Sequence, residues 1–151
     1  MSQNAPRIPQ LPCACASLRR AARVLTQRYE DDLRPLGLRS TQFTLLQALS
    51  QTGEISQGEL GQILAMDSTT LTRTLRIMVR EGWVAERRGR DRRERLVKLA
   101  TAGNKLLEAA SLRWEKTQEE LRDRLGEARW RDLFSITNEV TSLTTQGGEP
   151  S

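Results

Sequence analysis

The 151-residue chain contains no histidine, which removes the imidazole that most nucleophilic active sites require. It also has no G-x-x-x-x-G-K-[ST] phosphate loop and no G-x-G-x-x-G run after a strand. Three acidic residues, Glu30, Asp31 and Asp32, are consecutive on a predicted helix and cannot all converge on one site. We therefore expect no catalytic residues, no bound cofactor and a protein that is not an enzyme.

Long apolar runs and aromatic residues are scarce as well. No segment approaches the ~18 consecutive apolar residues of a membrane helix, and the N-terminus has no apolar signal region. The aromatic residues are three Trp, two Phe and one Tyr, so the core must be aliphatic. The length fits one domain. These features predict a globular, cytoplasmic protein with no membrane partner.

The strongest pattern begins at Met66 and starts with a helix. Apolar residues Leu71, Leu75, Met78 and Val79 repeat with a helical period and face a core. Asp67 or Ser68 can cap the first turn, and Gly82 can end the helix in a left-handed conformation. The opposite face carries short hydroxyls followed by guanidinium groups, which suit base edges and phosphates: Thr69, Thr72, Arg73, Arg76 and Arg80.

The elements around this helix predict a winged helix-turn-helix. Ser56 and Glu59 form a capping box for a short preceding helix, which a tight Ala65–Met66 connection joins to the next. Residues 83–88 and 95–99 are β-prone runs on either side of residues 89–94, as in a hairpin wing. Residues 53–55 are predicted to add a short third strand.

Basic charge is concentrated in the same stretch. Residues 73–98 hold ten basic and four acidic side chains, a net charge of +6, whereas the whole chain carries +5 and the remainder therefore −1. Arginine runs are often solvated surface, but an excess confined to one helix and one hairpin indicates a polyanionic partner. We expect that partner to be double-stranded DNA.

The spacing of Asp91, Arg93, Val97 and Leu99 in the wing resembles the signature of the MarR family of bacterial transcription regulators, and the similarity extends over about residues 11–143. The resemblance implies that Arg93 enters the minor groove while Asp91 helps to hold it. Alternatively, the two residues only close the hairpin turn. One departure is Ala100, where the family usually has a capping Thr; Thr101 is expected to take over.

The predicted DNA-binding residues form two groups. The helix supplies Ser68, Thr69, Thr72, Arg73 and Arg76 to the major groove. The wing supplies Asp91 and Arg93 to the minor groove, with Arg90 and Arg92 near phosphates.

The predicted fold is mainly α with a small β-wing. A single MarR-like domain over residues 13–145 contains the winged core at about 41–99 and dimerisation helices at about 13–34 and 101–145. A disordered arm, 1–12, precedes it and a tail, 146–151, follows. Because the apolar faces of the terminal helices need a second surface, we predict a two-fold homodimer that reads a pseudo-palindromic operator.

The signal that such a regulator answers has several candidates. The resemblance implies a small ligand between the helical region and the winged domain, and arginines near the first helix would suit an anionic aromatic molecule. Cys15 falls where the organic-hydroperoxide-sensing branch of the family has its reactive cysteine, and Tyr29 matches a tyrosine of that branch. At two other positions the branch has aromatic residues, and this chain has Arg19 and Ser40 instead. A thiolate at Cys15 would be favoured by the helix N-terminus and Arg19.

Other functions for the two cysteines and for the protein remain open. Cys13 and Cys15 could instead pack as small apolar residues or bind a soft metal, although two thiolates without histidine leave a metal site incomplete. We therefore predict no metal site. A repressor is favoured over an activator, and a non-specific architectural DNA binder is the remaining alternative.

Overall fold

The computed structural model describes residues 9–145, and over this range it has the predicted architecture. The elements in chain order are α1 (Ala14–Leu33), a 3-10 turn (Arg34–Leu36), α2 (Ser40–Thr52), β1 (Ile55–Ser56), α3 (Gln57–Leu64), α4 (Ser68–Arg80), β2 (Val84–Arg88), β3 (Arg95–Leu99), α5 (Thr101–Leu125) and α6 (Glu127–Thr145). The predicted tail and the first eight residues of the predicted arm lie outside the described residues. No helix in the described part is long and apolar enough to cross a membrane.

Residues 9–12 have no regular secondary structure, but they lie along the start of α1. Arg20 donates from Nη1 to the carbonyl oxygen of Pro9 at 3.1 Å. Ser17 donates from Oγ to the carbonyl oxygen of Leu11 at 3.2 Å. The first turns of α1 therefore hold this segment by two hydrogen bonds to its backbone.

The three strands form an antiparallel sheet in the order β1-β3-β2. Val97, at the centre of β3, lies opposite Ile55 on one side and Glu86 on the other. Val97 and Val84 are buried, whereas the arginine-rich end of the hairpin is exposed. The sheet thus anchors the wing in the core and leaves its tip free to project.

The core is aliphatic, as predicted, and α2 contributes most to it. Phe43 is the one aromatic side chain among its fully buried members, and its ring packs against Trp114 of α5 with centroids 6.0 Å apart. Leu71, Leu75 and Met78 are buried, so the predicted apolar stripe of α4 faces this core. A Cβ placed on Gly61 would lie 3.2 Å from Leu71, which shows how closely α3 and α4 approach.

The start of α5 differs from the prediction. Ala100 occupies the N-cap position without a side-chain hydrogen bond, and Thr101 is already the first helical residue. The expectation that Thr101 replaces the missing cap is therefore wrong, because a residue inside the helix cannot cap the turn that it begins. The backbone N–H of Ala100 instead donates to the carbonyl oxygen of Trp83 at 3.0 Å.

The connection between α1 and α5 is polar. Arg28 forms a 2.8 Å ion pair with Glu120. Tyr29 donates to the side-chain oxygen of Gln118, and Thr117, which is buried, donates to the carboxylate of Asp32. These hydrogen bonds join residues 85 to 92 positions apart in the chain and fix the second half of α5 against α1.

Candidate nucleic-acid interface

The recognition helix α4 is capped as predicted and presents its polar face outward. Asp67 accepts hydrogen bonds from the backbone N–H of Thr70 at 2.9 Å and from its hydroxyl at 2.6 Å. These bonds lower the pKa of the Asp67 carboxyl below its usual value. Ser68, Thr69, Arg73 and Arg76 are exposed, which is the condition for contact with a large partner.

Thr72 differs from the other predicted contact residues because it is half-buried and already has a partner. The side-chain amide nitrogen of Gln57 donates to its hydroxyl oxygen at 2.7 Å. Gln57 is the first residue of α3, so this bond joins the two helices of the helix-turn-helix.

The wing tip is held by the residues that carry the family resemblance. The Asp91 carboxylate accepts from the backbone N–H of Arg93 at 3.1 Å, and the carbonyl of Asp91 accepts from the backbone N–H of Glu94 at 2.9 Å. Asp91 therefore closes the hairpin turn. The guanidinium of Arg93 takes no part in this turn, so the same geometry leaves it available for a partner.

A cleft of about 880 Å³ lies between the helix-turn-helix and the wing. Ser68 and Gln57 line it from the helices, and Asp91, Arg93 and Arg95 line it from the hairpin. A second cleft, of about 210 Å³, lies between α4 and the wing strands and is lined by Thr72 and Arg76. Predicted residues from both groups thus line two neighbouring clefts that share Gln57 and Arg95, with Arg90 and Arg92 exposed at the wing tip.

Pairing separates the arginines of the molecule into two sets. Arg28, Arg34, Arg39, Arg87, Arg95 and Arg122 each lie within 4.0 Å of a carboxylate. Within residues 9–145, no ion pair is formed by any of the arginines predicted to contact DNA, which are Arg73, Arg76, Arg90, Arg92 and Arg93. Of the fourteen arginines in the described residues that have no carboxylate partner, seven lie within the 21 residues 73–93 of α4 and the wing, where the sequence predicts a polyanion, and the other seven are spread over α1, α5 and α6.

Arg87 has a structural role that the charge pattern does not reveal. It donates to both carboxylate oxygens of Glu54, at 3.0 and 2.6 Å, and so ties the residue before β1 to the wing. The bidentate pair lowers the pKa of Glu54 and raises that of Arg87. The contacts of Gln57 and Glu54 have no local signal in the sequence, since their partners are 15 and 33 residues away.

A separate cleft, of about 390 Å³, lies between α1, α2 and the α3–α4 connection. Hydroxyl groups and apolar side chains line it, including Leu25, Tyr29, Thr44 and Met66. Burial, together with the nearby Asp32 carboxylate, raises the pKa of Tyr29. None of the arginines of the first helix lines this cleft, and Arg28 is paired with Glu120.

The two cysteines lie at the start of α1 and are exposed. A guanidinium nitrogen of Arg19 lies 3.5 Å from the sulfur of Cys15, so the predicted proximity of these residues is present. Among residues 9–145, no three His, Cys, Asp or Glu side chains lie close enough together to hold a metal ion.

Comparison with known proteins identifies the family to which this arrangement belongs. Residues 38–94 match the sequence model of the MarR family. The chain is 34% identical to the uncharacterized HTH-type transcriptional regulator YwoH of Bacillus subtilis (strain 168) over 104 residues, 69% of this chain and 76% of YwoH. The chain belongs to the MarR family. It is therefore a DNA-binding transcription regulator with a winged helix-turn-helix fold.

Solved structures of MarR-family regulators have the same fold. The regulator MosR of M. tuberculosis in complex with DNA is 34% identical and superimposes with a TM-score of 0.80, covering 89% of this chain and 97% of MosR. A MarR variant of E. coli in complex with operator DNA is 28% identical, with a TM-score of 0.71 and coverage of 87% and 99%.

Proposed function

We propose that this protein is a homodimeric, cytoplasmic repressor without catalytic activity that binds a pseudo-palindromic operator through α4 and the wing. The observation that carries the proposal is the set of unpaired arginines around the cleft between these two elements. A guanidinium without a carboxylate partner keeps its donors for phosphates and base edges. Two of the similar structures hold DNA, one of them an operator, which supports this use of the fold.

The proposed division of labour follows from position. Ser68, Thr69 and Arg73 lie on the exposed face of α4 near its start, and they would enter the major groove. Arg93 projects from a turn that Asp91 closes, and it would enter the adjacent minor groove, where a narrow groove concentrates negative potential. Asp91 can both close the turn and hold Arg93 in place for the minor groove, because the closed turn sets the direction in which Arg93 projects.

The dimer is proposed from apolar side chains that a single chain leaves exposed. They lie on α1 and α6, the two helices at the ends of the proposed 13–145 domain: Leu18, Leu133, Phe134, Ile136, Val140 and Leu143. Burying such a surface against a second copy is favourable by about 25 cal/mol for each Å² of apolar area. Two recognition helices would then be spaced to meet successive major grooves, ~34–36 Å apart.

The test is fluorescence anisotropy with an operator duplex selected by the wild-type protein from a random-sequence library. We expect Arg93→Ala to weaken binding by about 5- to 100-fold. The slope of log affinity against log salt should become shallower by about two, because each dimer loses two positive charges that displace counterions from the minor groove. Arg93→Lys should retain the slope but not the full affinity, since the ammonium lacks the planar fork.

Arg113→Ala provides the matched control, because Arg113 is exposed on α5 away from the cleft. It should bind as wild type does. Equal binding by Arg93→Ala and Arg113→Ala would remove the wing from the interface.

Release by a small ligand is the first candidate for regulation, and the cleft between α1, α2 and the α3–α4 connection is its proposed site. Its lining of hydroxyls and apolar groups favours a largely apolar molecule with hydrogen-bonding groups rather than an anion held by arginine. Filling this cleft would shift the winged part relative to α1. Thr44→Trp, which fills the cleft, should by the same shift weaken operator binding without ligand, and added ligand should then cause no further release.

Release by thiol oxidation is the second candidate, and the 3.5 Å approach of Arg19 to the Cys15 sulfur favours it. The thiol is also exposed, so an oxidant in solution can reach it. Operator binding that is lost on adding an organic hydroperoxide and retained in Cys15→Ser would support this route. Identical loss in wild type and Cys15→Ser would exclude it.

A further inference from the structure

Gln57 and Arg95 line both clefts of the DNA-binding face, so they form the divide between the two. On one side of this divide lie Ser68 and the wing tip, and on the other lie Thr72 and Arg76. Any duplex that contacts both α4 and the wing must cross this divide.

The hydrogen bond between Gln57 and Thr72 leaves a donor unused. Because the Gln57 amide donates to the Thr72 oxygen at 2.7 Å, the hydroxyl proton of Thr72 is directed elsewhere. In the part of the chain that the structure describes, this proton has no acceptor. Other threonines of the helices use theirs: Thr70 donates to Asp67, Thr74 to the carbonyl of Thr70, and Thr44 to the carbonyl of Ser40.

The position of the pair indicates which part of DNA it meets. A major groove and the neighbouring minor groove are separated by one sugar–phosphate strand, whose charged oxygens accept hydrogen bonds but cannot donate. The divide offers the Thr72 hydroxyl and the second amide hydrogen of Gln57, both donors. Arg76 and Arg95 add positive charge beside them, and the nearby Glu86 carboxylate lies 3.5 Å from Arg95.

We propose that Gln57 and Thr72 act together as a clamp for the DNA phosphate strand that runs between α4 and the wing. This inference rests on the proposed function. Gln57 orients the hydroxyl of Thr72 so that its proton points at a phosphate oxygen, and its own amide donates to the same strand. The pair therefore fixes the depth of α4 in the groove rather than reading bases.

Anisotropy titrations with two duplexes of equal length, the selected operator and a scrambled sequence, test this role. Gln57→Ala and Thr72→Val should each weaken binding to both duplexes by about 3- to 10-fold, the effect of losing neutral hydrogen bonds. The operator-to-scrambled preference and the salt slope should not change, because no base contact and no charge is removed. The double variant should lose less than the product of the single losses, since the two side chains act as one unit.

Matched variants separate the clamp from a general effect of substitution. Gln51→Ala, at an exposed position of α2, should bind as wild type does. Thr72→Ser keeps the hydroxyl and should stay within about 2-fold of wild type, since the hydrogen bond is retained. Gln57→Glu should weaken binding more than Gln57→Ala, because its carboxylate accepts the Thr72 proton and repels phosphate. The melting temperature of each variant is measured to check that it is folded.

A loss of affinity for the operator but not for the scrambled duplex would overturn the proposal and would mean that the pair contacts bases. Unchanged binding by Gln57→Ala, or single losses that multiply in the double variant, would overturn it as well. If the wild-type protein selects no sequence, the proposed function itself fails, and that outcome is visible before any variant is measured.

Discussion

At the scale of the residue, Gly103 lets the long helix α5 pack directly against the backbone of Trp83, just before β2. A Cβ placed there would overlap the carbonyl oxygen of Trp83, which also accepts the backbone hydrogen bond from Ala100. A methyl group at this position must displace backbone rather than a flexible side chain. The small size of Gly103 therefore allows the start of α5 to pack directly against the end of the turn after α4.

Gly103→Ala should destabilise the protein by about 1–3 kcal/mol, as overpacking of a tight contact does. Gly58→Ala is the matched control, because Gly58 is helical, has ordinary backbone angles and has open space where its Cβ would be. It should be neutral or slightly stabilising. Chemical denaturation of the two variants measures both values, and equal stabilities would mean that α5 does not depend on this contact.

The arginines of the interface differ in whether a carboxylate lies close to them. Arg87 and Arg95 belong to the basic segment but lie close to Glu54 and Glu86, so they hold the wing together. Arg73, Arg76 and Arg93 have no such partner within residues 9–145. The arginines with carboxylate partners contribute to the shape of the interface, and those without are proposed to contribute affinity.

At the scale of the element, the wing is attached to β1 by the pair between Glu54 and Arg87. Because the pair lowers the folded-state pKa of Glu54 below 4.5, its contribution to stability is present above that value and is lost as the pH falls through the folded-state pKa. At neutral pH the Glu54→Gln variant should melt at a lower temperature than wild type. The difference should shrink as the pH is lowered below 4.5.

Thermal unfolding followed by circular dichroism between pH 7 and pH 3 measures this difference, and added salt should reduce it at neutral pH because the pair is exposed. Glu108→Gln, at an exposed position of α5 that forms no ion pair within residues 9–145, controls for the loss of an unspecific negative charge. A difference that stays constant over the whole pH range would contradict the role of the Glu54 carboxylate.

Elements with local signals were predictable from the sequence. Asp67 caps α4, Ser56 and Glu59 form their box, and Gly82 ends the turn at a φ of +78°, because each signal involves residues only a few positions apart. What could not be predicted depends on residues far apart in the chain. At the start of α2 the backbone N–H of Ser40 donates to the carboxylate of Glu30, ten residues earlier, and the partner of Thr72 is Gln57 on another helix. Such contacts depend on how the helices pack against each other, and hydrophobic periodicity does not indicate which helices pack together.

The same distinction applies to the candidate site. Periodicity and the wing spacing indicated which face of α4 is exposed and which loop projects. They could not indicate which arginines form ion pairs with carboxylates. Arg87 and Arg90 lie in the same basic stretch, but the fold brings Glu54 next to Arg87.

At the scale of the whole molecule, α6 is the element least accounted for by a single chain. It has no fully buried residue between Glu127 and Leu143, and Phe134 is 46% exposed although its ring meets Trp130 edge-on. A helix with this pattern requires another surface. The proposed homodimer provides it, and dimerisation is also what allows two weak half-site contacts to act as one strong contact.

Phe134→Glu should convert the proposed dimer to a monomer, because it places a charge in an apolar interface. Light scattering at micromolar concentration measures the mass. Leu112→Glu is the matched control, since Leu112 is 73% exposed but lies on α5 outside the apolar face of α6. It should remain dimeric. A Phe134→Glu variant of unchanged mass, or a wild-type monomer, would contradict the dimer and with it the pseudo-palindromic operator.

The most direct test of a specific regulator is the ratio of its affinities for selected and scrambled DNA. Wild-type protein is titrated onto the two duplexes at the same near-physiological salt concentration. We expect the selected operator to bind at least roughly 10³-fold more tightly, and the selected sequence to be an inverted repeat. Equal affinity for both duplexes would contradict specific recognition and would make the arginines of α4 and the wing those of an architectural DNA-binding protein.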